Sequence, residues 1–312
     1  MAASRHSPGE ESGGAHGRVT VVMLTYNRKT EVLRGLARLQ ALPERPPIIV
    51  VDNGGSDGTA ASISAEFPNV QLVSAATNLG AAGRNLGVER VNTPYVAFCD
   101  DDTWWAPGAL HHAADILDGH PSIAILNASI VVGPDARADP ACVQMAYSPL
   151  ETVAGVGPML TGFMAGAVVM RTAAYRNAGG YWRPFFIGGE ESLLAMDILD
   201  AGGQIVYAPA LQVHHWPSTL RDSALRRRLL ARNAIWSAWL RLPGSTATQR
   251  SLHTLRALPH WRERWLAVAD ALAGMPAILR HRRVLKRSTL ELLERVWDDD
   301  AALLKASNNA PT

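Results

Sequence analysis

Apolar and polar positions come in blocks along the first hundred residues, and the blocks alternate between two periods. RVTVVMLTYN (18–27) is a β-branched run that ends in polar residues. RKTEVLRGLARLQAL (28–42) then places Val32, Leu33, Leu36 and Leu39 at helical spacing. The plan repeats with the apolar strand Ile48–Val51, followed by Asp52, a glycine turn and a new helix. VQLVSA (70–75) reads as a short third strand, and NLGAAGRNLGVERV (78–91) leads from a loop into a helix. PYVAFCDDD (94–102) is a fourth strand with acids at its end. Strands that are continuously apolar and alternate with helices predict an α/β fold with a mainly parallel sheet covered on both faces.

Beyond residue 108 the pattern loosens. SIAILNASIVVG (122–133) reads as a strand, followed by a Pro- and Ala-rich stretch to about 158. GFMAGAVVMRTAAYRNAGGYW (162–182) gives a strand, a short helix and a glycine stop. FFIGGEESLLAMDILDAGG (185–203) is a loop and then a helix with Leu193, Leu194, Ile198 and Leu199 on its apolar side. QIVYAPALQVHHW (204–216) is extended and ends in two histidines. Residues 220–300 read as helical, with breaks at Pro243-Gly244, Pro259 and Pro276.

In parallel sheets ligands bind beyond the carboxyl ends of the strands. Thr25-Tyr26-Asn27, Asp52-Asn53 and Asp100–Asp102 all occupy that edge, so three polar clusters converge on one site. Adjacent carboxylates repel, and a triplet alone is most simply a solvated turn. At the end of a buried strand it is better read as a cradle for a hard divalent ion, which takes carboxylate and phosphate oxygens. A phosphatase reading fails on spacing, because the position after Asp102-Thr103 is Trp104. Neither a GxxxxGK[ST] loop nor a GxGxxG after the first strand is present. Asp52 can accept a hydrogen bond from a base imide, and Arg84 in its glycine-rich segment can approach a diphosphate. Trp104, Trp105 and Trp182 can stack on the apolar face of a sugar acceptor or pack in the core.

Composition narrows the class further. Apolar residues make up 47% and charged ones 19%, a globular rather than a disordered balance. The net charge of +2 hides an asymmetry. Residues 1–220 carry 13 Lys+Arg against 20 Asp+Glu, and residues 221–312 carry 17 against 8. Cys99 and Cys142 form no CxxC pair, which fits a reducing cytoplasm and indicates neither a disulfide framework nor a zinc site. Residues 1–17 read as a flexible tail rather than a signal peptide. The apolar run Trp265–Leu279 is interrupted by Asp270, Gly274 and Pro276 and is too short to span a bilayer.

VVMLTYNR, VVDNGGSDGT, NLGAAGRNLG, AFCDDD, GGEE and VHHWPS, in that order over roughly residues 18–220, resemble the family 2 glycosyltransferases with a GT-A fold. The likeness is nearest to bacterial rhamnosyltransferase-like members. It implies a GT-A type, Rossmann-like sheet flanked by helices over 18–220, with a helical extension over 221–312. It also implies that Thr25, Tyr26 and Asp52 line a nucleoside pocket, with Asp52 reading a uracil or thymine. Asn78, Gly80 and Arg84 match the stretch that passes under the donor. Asp100 and Asp102 match the Asp-x-Asp motif, with Asp100 near the ribose and Asp102 on Mn2+ or Mg2+. His215, the fixed histidine of the V-x-H-x-x-S pattern, is a further candidate ligand. Glu191 stands where the family has the aspartate that acts as general base. The change keeps the carboxylate but adds a methylene, and makes Glu190 a rival for the role.

The basic C-terminal region admits two readings. Leu225, Leu229, Trp236 and Leu240 share one helical face near Arg226, Arg227, Arg228 and Arg232. Such a helix either packs on the catalytic domain or lies on an anionic membrane surface. No nucleic-acid motif accompanies the arginines. The expectation is a cytoplasmic, membrane-peripheral, metal-dependent inverting glycosyltransferase. It would move sugar from a UDP- or dTDP-sugar to an acceptor hydroxyl, lipid-linked if the membrane reading holds, and the C-terminal helices would offer a homodimer surface. The rivals are a nucleotide-sugar-binding protein without turnover and a nucleotidyltransferase on a similar scaffold.

Overall fold

The computed structural model describes residues 17–217 and 223–308. The tail expected over 1–17, apart from Gly17, lies outside the described residues, as do Ser218 of the VHHWPS motif and the expected domain boundary at 220.

The first block is built as its periodicity predicts. β1 (Val19–Thr25), α1 (Lys29–Gln40), β2 (Ile48–Asp52), α2 (Thr59–Glu66), β3 (Gln71–Ser74), α3 (Gly83–Val88) and β4 (Tyr95–Asp100) follow in order. All four strands run parallel, in the spatial order β3-β2-β1-β4. Helix α1 buries Val32, Leu36 and Leu39 on one face at i, i+4 and i+7. Gly35 lies on the same face, where a Cβ would come within 3.3 Å of the Asp101 carbonyl oxygen.

The second block reverses direction. After β5 (Thr103–Trp105) and α4 (Ala109–Gly119), β6 (Ile123–Val132) runs back to the strand-end edge, with β7 (Arg137–Ala138) antiparallel on it. Next come α5 (Pro140–Ala146), capped by the Asp139 side chain, and the small hairpin β8 (Thr152–Val153) and β9 (Gly157–Pro158). The chain therefore starts β10 (Val168–Arg171) from the edge where β6 ended, and β10 is antiparallel to both β4 and β6. This makes the sheet mixed rather than parallel throughout. Helices α6 (Thr172–Asn177) and α7 (Glu190–Asp200) lead to β11 (Gln204–His215), which pairs parallel with β6 and antiparallel with β5. The order is β3-β2-β1-β4-β10-β6-β11-β5. The register of β11 on β6 jumps between Ala208 and Gln212, so Pro209, Ala210 and Leu211 form a bulge. Pro209 has no N–H to give a ladder, so a bulge is where it fits.

Helices α8 (Ser223–Arg241), α9 (Gly244–Ala257), α10 (Trp261–Arg280) and α11 (Arg287–Asn308) close over α7. Phe185 and Leu193 cluster with Ile235, Trp236, Leu240, Ala271 and Ile278. Met196 clusters with Ala238, Leu242, Leu285 and Leu293. Trp236 and Leu240 are therefore spent inside, and the stripe of α8 read above as a membrane face is largely packing surface. Two of its arginines are occupied as well. Arg227 bonds Glu263 at 2.9 Å and Arg228 grips Asp270 at 2.5 and 2.7 Å. The break predicted at Pro276 does not occur, because α10 runs through it to Arg280 and the exposed side of the helix absorbs the lost N–H.

Candidate active site

The carboxyl ends of β1, β2 and β4 place Thr25, Asp52 and Asp100 side by side, since Thr25 pairs with Asp52 and Leu24 with Asp100. Asp52 is buried, and its Oδ1 accepts the Gly55 N–H at 3.0 Å. A Cβ on Gly55 would fall 2.7 Å from that oxygen, so the glycine turn after β2 is what lets the backbone reach it. Tyr26 is 44% exposed on the rim. Thr25 turns its hydroxyl inward to Asp101 Oδ2, at 3.2 Å.

Asn53, which the sequence places at the edge without a role of its own, organises the next segment. Its Nδ2 donates to Asn78 Oδ1 at 3.0 Å and to the Gly80 carbonyl at 2.9 Å, while its Oδ1 accepts the Leu79 N–H at 3.0 Å. Gly80 has φ +61°, and a Cβ there would lie 1.8 Å from the Phe186 carbonyl oxygen. That carbonyl accepts the Ala81 N–H at 2.7 Å. The Asn78–Ala82 stretch is thus pressed against the loop that leads into α7.

The three consecutive aspartates do three different things. Asp100 has a side chain 42% exposed and is bonded to the buried guanidinium of Arg84. Burial works against the charge on Arg84, but Asp100, Tyr181, Glu191 and Glu190 outweigh it and raise its pKa. Asp101 is buried between Thr25 and Arg28, and burial pushes its carboxyl up to about 7. Asp102 is buried as well; Arg28 Nη1 lies 3.4 Å from its Oδ2 and His215 Nε2 lies 3.7 Å from its Oδ1. Arg28 thus bridges two of the acids. Gly166 lets the backbone of the turn before β10 approach the third, since a Cβ there would meet Asp100 Oδ2 at 2.7 Å.

Among the described residues no three His, Cys, Asp or Glu side chains gather to hold a metal ion by themselves. Asp100 is drawn to Arg84, which leaves Asp102 and His215 as a two-residue edge. That edge suits an ion that completes its shell with substrate phosphates rather than a closed protein cage. The charge balance points the same way. Arg84 feels Asp100, Glu190 and Glu191, and Asp101 feels Asp100 and Asp102, so five carboxyl groups surround Arg28 and Arg84.

The two glutamates sit at the first turn of α7. Gly188 and Gly189 precede them at φ +88° and +82°, a path that favours glycine. Glu190 is buried, and burial together with Glu191 raises its carboxyl to about 7. Its Oε2 has no hydrogen-bond partner. Glu191 is half-buried, and burial raises it also, with Asp100 adding to the effect and Arg84 and Arg226 opposing it. Asn233 of α8, fully buried, holds the loop before them. Its Nδ2 donates to the carbonyls of Phe185 at 2.9 Å, Ile187 at 3.1 Å and Gly188 at 2.5 Å.

The histidines separate by strand alternation. His215 pairs with Thr103 and faces Asp102; His214 pairs with Trp104 and faces the opposite side of the sheet. There the rings of His214 and Trp104 stack at 5.7 Å, with Trp216 and Arg34 beside them. Trp104 is thus directed away from the strand-end acids. Trp105 is fully buried in the core and offers no surface to an acceptor. Trp182 is part of the aromatic cluster with Phe185, Trp236 and His281 at the C-terminal helices. Alternation across β5 accounts for Trp105, and long-range packing accounts for Trp182.

Residues 20–173 match the model described as Glycosyl transferase family 2. The chain is 27% identical over 241 residues to an N-acetylglucosaminyl-diphospho-decaprenol L-rhamnosyltransferase of Mycobacterium tuberculosis, covering 65% of this chain and 78% of the relative. It is 28% identical over 256 residues to a pre-mycofactocin glycosyltransferase of the same organism, covering 77% of this chain and 51% of that protein's length. Among solved structures, a mannosyltransferase of Pyrobaculum calidifontis in complex with GDP-Man and Mn2+ matches with a TM-score of 0.57 at 20% identity, over 95% of this chain and 84% of that one. This last likeness is one of fold.

Proposed function

Residues 20–173 form a family 2 glycosyltransferase domain on a GT-A type sheet, and on that premise we propose that the protein is a metal-dependent inverting glycosyltransferase using a UDP- or dTDP-sugar. The observation that carries the reading is the meeting of Asp100 and the two glutamates of α7 around one buried arginine, Arg84, beyond the strand ends. Asp52 and Tyr26 take the base, and Asn78 and Gly80 shape the floor under the donor. Asp102 and His215 would hold Mn2+ or Mg2+, which supplies Lewis-acid stabilisation of the departing diphosphate. Arg84 holds Asp100 in place at the ribose side.

Glu191 accepts the proton of the acceptor hydroxyl as that oxygen attacks the anomeric carbon and the sugar–phosphate bond breaks. Its partial exposure leaves it reachable, and its raised pKa brings its basicity toward the working pH. Buried Glu190 backs it and is the alternative base. The acceptor is a hydroxyl compound of lipid-linked type, as the decaprenol in the rhamnosyltransferase relative's name suggests.

The test is release of nucleoside diphosphate from a panel of UDP- and dTDP-sugars, with Mn2+, with Mg2+ and with EDTA. Metal-stimulated release from one nucleotide class is the expected result. Tight binding with no turnover, across acceptors bearing lipid-linked sugars, would instead mark a nucleotide-sugar-binding protein.

A further inference from the structure

Helix α10 is apolar on two faces, and the fold uses only one. Ala267, Ala271 and Ile278 are buried against α8, and Gly274 lets Trp236 approach so closely that a Cβ would lie 2.2 Å from its ring. On another side Trp261 is 66% exposed, Trp265 68%, Leu272 62% and Leu279 53%. At about 100° per residue these four fall within an arc of about 40°, in a stripe about 27 Å long. Single exposed apolar residues are ordinary, but a continuous stripe of large ones marks a contact surface.

Charge says what the contact is. The only acids of α10, Glu263 and Asp270, are taken up by Arg227 and Arg228 of α8. What α10 presents outward is cationic: Arg262, Arg264 and Arg280 are all exposed. At about 100° per residue, Arg262 and Arg280 share one line along the edge of the stripe. Tryptophan and leucine flanked by arginine, with no free acid among them, is the composition of a helix that lies in a membrane interface. No helix among the described residues is long and apolar enough to cross a membrane.

We propose that the outer face of α10 docks the protein on an anionic phospholipid bilayer, with Trp261, Trp265, Leu272 and Leu279 entering the headgroup region and Arg262 and Arg280 meeting the lipid phosphates. This contact stands on the stripe and its charges alone, and holds whichever sugar or acceptor the site uses. It also moves the membrane face from α8, whose Trp236 is internal, to α10.

The experiment is flotation of the full chain with phosphatidylcholine vesicles, with and without phosphatidylglycerol, read by protein content rather than by activity. The expected result is binding to the anionic vesicles that weakens with salt and falls about a hundredfold in a Trp265→Glu/Leu272→Glu double variant. Arg262→Glu/Arg280→Glu should lower binding to anionic vesicles about tenfold or more and lose the lipid selectivity. All four residues are exposed, and an unchanged melting temperature confirms that the variants fold. The proposal is overturned if the wild type fails to float with anionic vesicles, or if the double variant floats as well as the wild type. It is equally overturned if sedimentation shows that the stripe variants split a dimer while leaving vesicle binding intact, since the stripe would then seat a second copy of this chain.

Discussion

Asn233 donates its side-chain amide to the carbonyl oxygen of Gly188 at 2.5 Å, two residues before Glu190. The same amide reaches Phe185 and Ile187, so one side chain of α8 sets the approach to the helix that carries both glutamates. Asn233→Ala leaves three carbonyls without that donor and should cost about 2–3 kcal/mol. Asn233→Asp offers no donor at all and should be at least as damaging. A melting curve reads the stability, and kcat should fall about tenfold or more, because the glutamates lose their fixed position.

Gly80 and Phe186 make the second close approach. Gly80→Ala must move the Phe186 carbonyl and hold φ +61° with a side chain, at a cost on the order of 3 kcal/mol. The damage should fall on donor binding as well as on stability. KM for the nucleotide-sugar should rise at a temperature where the variant is still folded, which separates the two effects.

Glu190 supplies a pH prediction with a definite sign. Its carboxyl is raised from 4.5 to about 7 by burial and by Glu191. Between those values the folded protein holds a proton that the unfolded chain has lost, so stability falls as pH rises through the window. Glu190→Gln should flatten that slope in melting experiments run from pH 4.5 to pH 7. Activity should rise with pH over the neutral range. Glu191→Gln should lower kcat about 10²- to 10⁴-fold with the donor KM nearly unchanged. If Glu190→Gln is the variant that loses turnover instead, the roles of the pair are exchanged.

His214 and His215 should separate cleanly. His215→Ala, on the Asp102 side, should weaken the stabilisation that Mn2+ and nucleoside diphosphate together give in a thermal shift, by about tenfold in apparent metal affinity. His214→Ala, stacked on Trp104, should leave metal response intact and cost about 1 kcal/mol of stability through lost ring packing. EDTA should remove the joint stabilisation of the wild type altogether.

Much of this was legible from residues 18–102. The strands β1, β2 and β4 are uninterrupted apolar runs that end in Thr25, Asp52 and Asp100, and strand-end chemistry follows from topology alone. Strand alternation places only one of the two neighbouring histidines, His215, on the side of Asp102. What local pattern could not supply came from contacts distant in sequence. Asn233 lies 45 residues beyond Gly188, in a helix whose own pattern gives it no distinction. Arg28 stood inside the first motif, but its bridge between Asp101 and Asp102 needs the strand register. Trp105 and Trp182 carry the same side chain as Trp104, and strand alternation and packing tell the three apart. The direction of β10 was hidden for a similar reason, since a buried strand reads the same run either way along its sheet.

The bulge at Pro209–Leu211 has a consequence for descent and for engineering. It sets the phase of the last four residues of β11, Gln212–His215, against β6. Adding one bulge residue would advance that stretch by one place and turn it over, carrying His214 into the position where His215 now faces Asp102. Chains that differ by a single insertion there would keep an aligned pair of histidines while changing which of the two faces the acids. In comparing such sequences, the loop length upstream is a better guide to the working histidine than the histidine column itself.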